Sequence, residues 1–199
     1  MTKIIRLLAM AVMLGLPSMA SAVATNPNVK PNEWRLLPQH CMYVEGGPLR
    51  FKDRETTRRL WASDPAWAGM HHYCWAIVQE FRTFSAQVPR KHAEGVLRAA
   101  IMNLDYVIAR STPGFIYRAD MFVRKARIQA RLGGFIEAAN TARQLIAESP
   151  ELPEGYFALA DVQIKAGHPD QARETLAKGD EVVKDTERFG TLKKQLDLR

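Results

Sequence analysis

His71, His72, Cys74 and Trp75 form the densest cluster of chemically capable side chains in this chain, and His40 lies beside Cys41 upstream. Imidazole and thiolate together suit zinc or copper, and His71 and Cys74, three residues apart on a helix, could face one ion. Cys41, Cys74, His71 and His40 therefore make one candidate metal centre. Against it, the chain has no Cys-x-x-Cys and no His-x-x-x-His pair. Two cysteines are also what one disulfide needs, and a Cys41–Cys74 bridge would consume both thiols.

A second set is cationic. Arg124, Arg127 and Arg131 stand at i, i+3 and i+7, so they share one helix face. Three guanidinium groups in a row could clamp a carboxylate or an acidic peptide through paired hydrogen bonds. The plainer reading is a solvated face supporting Asp120 or Glu137. Signatures of catalysis are missing: there is no Gly-x-Ser-x-Gly, no phosphate-binding glycine loop and no His-Glu-x-x-His. Glu45 and Glu80 are available as acids, but nothing in the sequence brings a second carboxylate near either. The chain is not expected to be an enzyme, and no cofactor is implied.

The first residues set the compartment. Lys3 and Arg6 precede an apolar run from Leu7 to Leu16, and Ala20-Ser21-Ala22 follows Pro17. That order predicts a secretory signal peptide over residues 1–22, cut after Ala22. The apolar run is too short for a membrane anchor, which needs about 20 residues. No cysteine lies near the cut, which argues against a lipid anchor. The expectation is an exported, periplasmic protein with no membrane span after cleavage. Oxidising surroundings there favour the Cys41–Cys74 disulfide, worth roughly 3–4 kcal/mol by restricting the unfolded chain.

About 177 residues follow the leader, enough for one compact domain. Hydrophobic residues at 47% and charged residues at 25% exclude wholesale disorder. Losing Lys3 and Arg6 takes the net charge from +7 to +5, a balance that favours acidic partners or anionic surfaces. No DNA- or RNA-binding motif accompanies it, so nucleic acid is not expected.

The elements that must position these groups follow from punctuation and period. Residues 23–66 read as an irregular N-terminal segment: Asn-Pro-Asn and Lys-Pro-Asn open it, and Pro38, Gly46, Gly47 and Pro48 leave only a loop over Leu36–Gly47. A short helix over Asp53–Trp61 is capped by Asp53, with Leu60 and Trp61 turned inward. From Met70 the apolar period becomes 3.6, giving a helix to about Gln87, with Tyr73, Ile77, Val78, Phe81 and Phe84 along it. Lys91–Arg110 makes a second. Further helices are predicted over Phe115–Leu132, Phe135–Glu148, Pro153–Ala166 and Pro169–Lys184, with a closing helix over residues 187–198.

Within that run, Phe122 stands 34 residues before Tyr156, Ala126 before Ala160, Gly133 before Gly167 and Ala138 before Ala172. Phe122, Ala126, Gly133, Ala138 and Pro150 in one copy, and Tyr156, Leu159, Ala160, Gly167, Ala172 and Leu176 in the other, resemble the tetratricopeptide repeat family. Lys125, Ala142, Lys184, Gln129 and Gln163 depart from its pattern. The strings LPQHC and MHHYCW are similar to the opening segments of some exported bacterial repeat proteins.

The resemblance implies an all-α fold of stacked antiparallel helical hairpins forming a right-handed solenoid over residues 67–199. Its repeats fall at 119–152 and 153–186, and Lys91–Arg110 belongs to a divergent or lengthened one. It also implies protein or peptide binding along a concave groove lined by the first helix of each repeat. Arg124, Arg127 and Arg131 would then face that groove in one repeat, and Phe157, Asp161, Ile164 and Lys165 in the next. A partner with acidic or C-terminal carboxylate groups and an amphipathic character would suit them. The rival readings from other classes are a small periplasmic metal-binding protein using the Cys/His cluster and an unrecognised enzyme, which would need a deep polar pocket with converging titratable groups.

Overall fold

The computed structural model describes residues 27–85, 87–184 and 186–197, and the expected signal peptide lies outside them. Among the described residues the fold is all-helical, without strands. Its α-helices are α1 (Arg54–Ser63), α2 (Met70–Phe84), α3 (Arg90–Ile108), α4 (Arg118–Arg131), α5 (Phe135–Glu148), α6 (Pro153–Lys165), α7 (Pro169–Val182) and α8 (Thr186–Asp197). Helix α2 packs on α3, α4 on α5 and α6 on α7. Contacts of α3 with α4, α5 with α6, and α4 with α6 join these hairpins into a stack, which α8 closes against α6 and α7. None of these helices is long and apolar enough to cross a membrane.

Local chemistry sets the boundaries. Asp53 caps α1 by accepting from Thr56 N at 3.1 Å. Gly133 and Gly167, with φ of +82° and +84°, turn the chain between paired helices where a side chain would be strained. Pro153 and Pro169 open α6 and α7 where an amide hydrogen would be unpaired anyway. Helix α4 begins three residues later than the predicted Phe115. Phe115 is instead buried in the preceding turn, edge-on to Trp67 with ring centroids 6.0 Å apart.

Close approach of the hairpins depends on short side chains. Ala126, Ala138 and Ala160 are fully buried, and Ala172 is nearly so. A polar bond recurs beside them: Thr141 donates to Gln129 at 2.7 Å, and Thr175 to Gln163 at 2.9 Å, each across 12 residues. These glutamines occupy slots that usually hold an aromatic, and the threonine hydroxyls satisfy them. The α2–α3 hairpin repeats the device. Asn103 donates to Gln79 at 2.9 Å across 24 residues, and its carbonyl oxygen lies 2.7 Å from His72 Nδ1. An Ala-x-x-Gln sequence thus stands on α2 (Ala76, Gln79), α4 (Ala126, Gln129) and α6 (Ala160, Gln163). The first hairpin is the same device with a longer turn.

Gly179 replaces, at the 34-residue interval, the buried Leu145. A Cβ there would come within 2.8 Å of Tyr156 Cγ and 2.9 Å of Phe189 Cε2. The missing side chain is what lets Phe189 of α8 seat fully buried at the end of the stack.

The N-terminal segment is more than a stapled loop. Short 3-10 turns at Glu33–Leu36, Gln39–Tyr43 and Pro65–Gly69 interrupt it. Leu37, Cys41, Val44, Ala66 and Trp67 share one core with Tyr73, Leu97, Leu104 and Phe122. The Cys41–Cys74 disulfide crosses this core, with Cα atoms 5.8 Å apart. Asp64 caps the last turn by accepting from Ala66 N at 2.8 Å, and it also accepts from the Thr112 hydroxyl.

The alanine register is tested by Ala160→Leu. Overpacking between paired helices should lower unfolding free energy by about 1–3 kcal/mol in urea titration, and an unchanged midpoint would contradict the packing. Reduction of the disulfide should cost about 3 kcal/mol by the same measurement, from the loop it closes.

Candidate functional site

Arg124, Arg127 and Arg131 project from one face of α4 toward α2, and Glu80 waits opposite them. Glu80 is 4% exposed. Arg127 brackets its carboxylate, with Nε 2.8 Å from Oε1 and Nη2 3.1 Å from Oε2. Arg124 adds Nη1 at 3.0 Å and turns Nε to Asp120 at 2.6 Å. Arg131 donates to the Thr83 hydroxyl at 2.8 Å and to the Thr83 carbonyl at 3.1 Å, and it lies over the Phe84 ring at 4.1 Å. The arginines therefore share a face, and much of their donor capacity is already met by acceptors of this chain. Glu80, an acid with no partner visible in the sequence, is the counter-ion of that face.

The electrostatics follow from burial and pairing. Burial pushes the pKa of Arg124 down, yet Asp120 and the Tyr73 hydroxyl together hold it above the ordinary arginine value. Tyr73 donates to Asp120, and burial followed by that carboxylate raises the phenol well beyond its usual range.

Between α2 and α4 lies a hollow of about 280 Å³, lined by Ile77, Glu80, Phe81, Phe84, Arg124 and Arg127. Phe81 and Phe84 are 37% and 62% exposed, so they line the hollow instead of packing inward. Sequence reasoning placed both on the apolar stripe of α2 and missed this. The inward side is carried by Tyr73, Cys74, Ile77 and Val78, and the two phenylalanines stand past the end of that stripe.

The residues expected on the next repeat are placed differently. Phe157 lies 5.0 Å from the Phe189 ring, and Ile164 packs against the C-terminal core. Lys165 pairs with Asp161 one turn before it. None of these four lines the α2–α4 hollow.

At the Cys/His cluster, ligand atoms of His40, Cys41 and Cys74 lie within 4.8 Å of one another, and His71 is not among them. Both sulfurs are spent in the disulfide, which leaves one imidazole and no thiolate. His40 packs on Tyr117 and Tyr73 with centroids 3.9 Å and 5.6 Å apart. Burial depresses it to about 4, and depresses His71, whose neighbour His72 adds a smaller push, to about 4 as well. Histidine here is packing material, neutral at ordinary pH.

Arg82 anchors the first described residues. It binds both oxygens of the buried Glu33 at 2.7 and 2.6 Å, and donates to Pro27 O at 2.7 Å and Asn28 O at 3.1 Å. Its hydrogen bonds hold Glu33 below the usual carboxylate range.

Residues 131–196 match the family model of the tetratricopeptide repeat. Comparison with the curated proteins and with the solved structures finds no significant match to this chain.

Depressed histidines have a consequence for acid stability. Between the ordinary 6.5 and the folded value of about 4, the unfolded chain takes up protons that His40 and His71 refuse. Their contribution is complete above about pH 6.5 and is lost as pH falls toward 4. Melting temperature should therefore drop across that window, and His71→Gln should shallow the slope in calorimetry.

Proposed function

From the premise that this chain carries tetratricopeptide repeats over residues 131–196, we propose that it is an exported, periplasmic scaffold that grips a peptide in the hollow between α2 and α4. Repeats of this family serve as protein-interaction scaffolds and are typically non-catalytic, and no catalysis is assigned here. Export is supported by the order of charged, apolar and small residues from Met1 to Ala22. The disulfide suits that compartment.

The hollow carries the peptide reading. Its lining joins the exposed rings of Phe81 and Phe84 and the side chain of Ile77 to the guanidinium groups of Arg124 and Arg127. Arg124, Arg127 and Arg131 outnumber Glu80 and Asp120, so a positive excess remains after internal pairing. An apolar side chain would seat between the phenylalanines while a neighbouring carboxylate approaches Arg127, whose side chain is 41% exposed. An acidic peptide with an apolar anchor, or a free C-terminus following one, meets both demands.

Labelled peptides of that composition, with free or amidated C-termini, test the reading by fluorescence anisotropy. Arg127→Ala should weaken binding about tenfold, the scale of a lost hydrogen bond to charge. Phe84→Ser should weaken it without lowering the melting temperature. Equal affinity in parent and both variants would exclude the hollow. Export is tested separately: the periplasmic fraction should hold a chain beginning at Val23.

A further inference from the structure

Away from the repeats, α1 and the turn before it build a different surface. Arg50, Phe51, Arg54, Thr57, Arg58 and Trp61 line a hollow of about 510 Å³. Three of the six are arginines and none is an acid. Arg54 and Arg58 sit one turn apart on α1, and among the described residues neither has a hydrogen-bond or ion-pair partner. Arg50 reaches only Glu45 at 4.0 Å, and its guanidinium lies 5.1 Å from the Phe51 ring and 4.9 Å from the Trp61 ring. Arg124, Arg127 and Arg131 each have an acceptor within the chain, whereas Arg54 and Arg58 have none among the described residues.

A side-chain bond fixes the turn beside the hollow. The Thr57 hydroxyl donates to Arg50 O at 3.0 Å and to Asp53 O at 2.8 Å, tying the turn to α1. Phe51 is 72% exposed at the lip. From Arg50 to Trp61 the chain carries five cations, Arg50, Lys52, Arg54, Arg58 and Arg59, against Asp53 and Glu55. A solvent-facing aromatic amid unpaired cations gives two attachments: the ring enters the headgroup boundary, and the guanidiniums meet phosphates.

We propose that this surface binds the phosphate headgroup of an anionic phospholipid and holds the protein at a membrane surface without spanning it. Arg54 and Arg58 take the phosphate through charge-assisted hydrogen bonds. Phe51 and the Trp61 ring receive the apolar part next to the headgroup. Three guanidinium groups, no acid and a ring at the lip are the combination by which an interfacial surface attaches to anionic lipid. The inference does not depend on the peptide-binding reading, since it uses none of the α2–α4 residues.

Co-sedimentation of the full chain with vesicles tests it, using phosphatidylglycerol in phosphatidylcholine against phosphatidylcholine alone. Parent protein should bind the anionic vesicles at least about tenfold more tightly, with the preference falling as salt is raised. Arg54→Glu with Arg58→Glu should abolish that preference, and Phe51→Ser should weaken it about threefold by removing the inserted ring. Parent and variants share the apolar Leu7–Leu16 segment, so the difference between them reads the hollow alone. Circular dichroism checks that the variants fold; Phe51→Ser, at an exposed position, supplies a variant whose folding is not at stake. Equal binding to both vesicle types, or an anionic preference untouched by the arginine substitutions, overturns the proposal. Saturable binding of inorganic phosphate that the arginine substitutions remove, with no anionic preference of the parent protein for vesicles, would mark a soluble-anion site and overturn it too.

Discussion

A carboxylate almost sealed from water must keep its charge answered, and Glu80 imposes that demand on everything around it. A buried ion without partners costs several kcal/mol, more than most single contacts supply. Arg124 and Arg127 meet the demand from α4, and Asp120 and Tyr73 in turn hold Arg124. The orientation of α4 relative to α2 is thus specified by directional charge pairs. Lys125 to Asp105 at 2.6 Å and Arg131 to Thr83 continue the same seam. Arg118 closes its far end: it donates to the carbonyls of Ile108 and Ser111 and binds Glu148, whose pKa that bond lowers.

The junction between α4–α5 and α6–α7 works on another principle. There Ala126, Ala138, Ala158 and Val162 meet in an apolar core, and the polar bonds stay inside each hairpin, glutamine to threonine. One half of the stack is set by volume and the other by charge. Small-residue packing repeats readily at a fixed interval, because every hairpin offers its neighbour the same profile. A charge seam does not repeat: the residues 34 positions after Arg118 and Arg124 are Leu152 and Ala158. The match to the repeat family begins at residue 131, the last of α4, and runs through the hairpins that pack by volume.

Most of the helical framework could be read from the sequence because it rests on local rules. Proline at a first turn, glycine at a left-handed turn and a 3.6-residue apolar period act within a few residues, and α5 runs over the predicted span. The 3-10 turns around Cys41 and Trp67 were not legible, since nothing periodic marks them and their local bonds, such as the Asp64 cap, are backed by tertiary burial. Glu80 was illegible for the same reason. Its partners stand 44 and 47 residues away, and only the packing of α2 beside α4 brings them together. Of the candidate site, the arginine face was readable from spacing, but the phenylalanines opposite were not. A period says which residues share a face, and it leaves open whether a neighbouring helix covers that face. Gln79 left a trace, the third Ala-x-x-Gln, hidden because its hairpin breaks the 34-residue interval.

The same distinction governs how the positive charge is to be read. Formal charge counts every arginine equally, whereas structure sorts them by what already answers them. Arg82 is consumed by Glu33 and two carbonyls, Arg118 by Glu148, and Arg124 by Glu80 and Asp120. Those cations hold the fold together and contribute little field outside it. Arg54 and Arg58 have no such partners among the described residues, so their charge is available to whatever approaches α1. A basic chain of this kind therefore carries two sorts of guanidinium group: those spent on holding helices together, as at Arg82, Arg118 and Arg124, and those left to meet whatever approaches, as at Arg54 and Arg58.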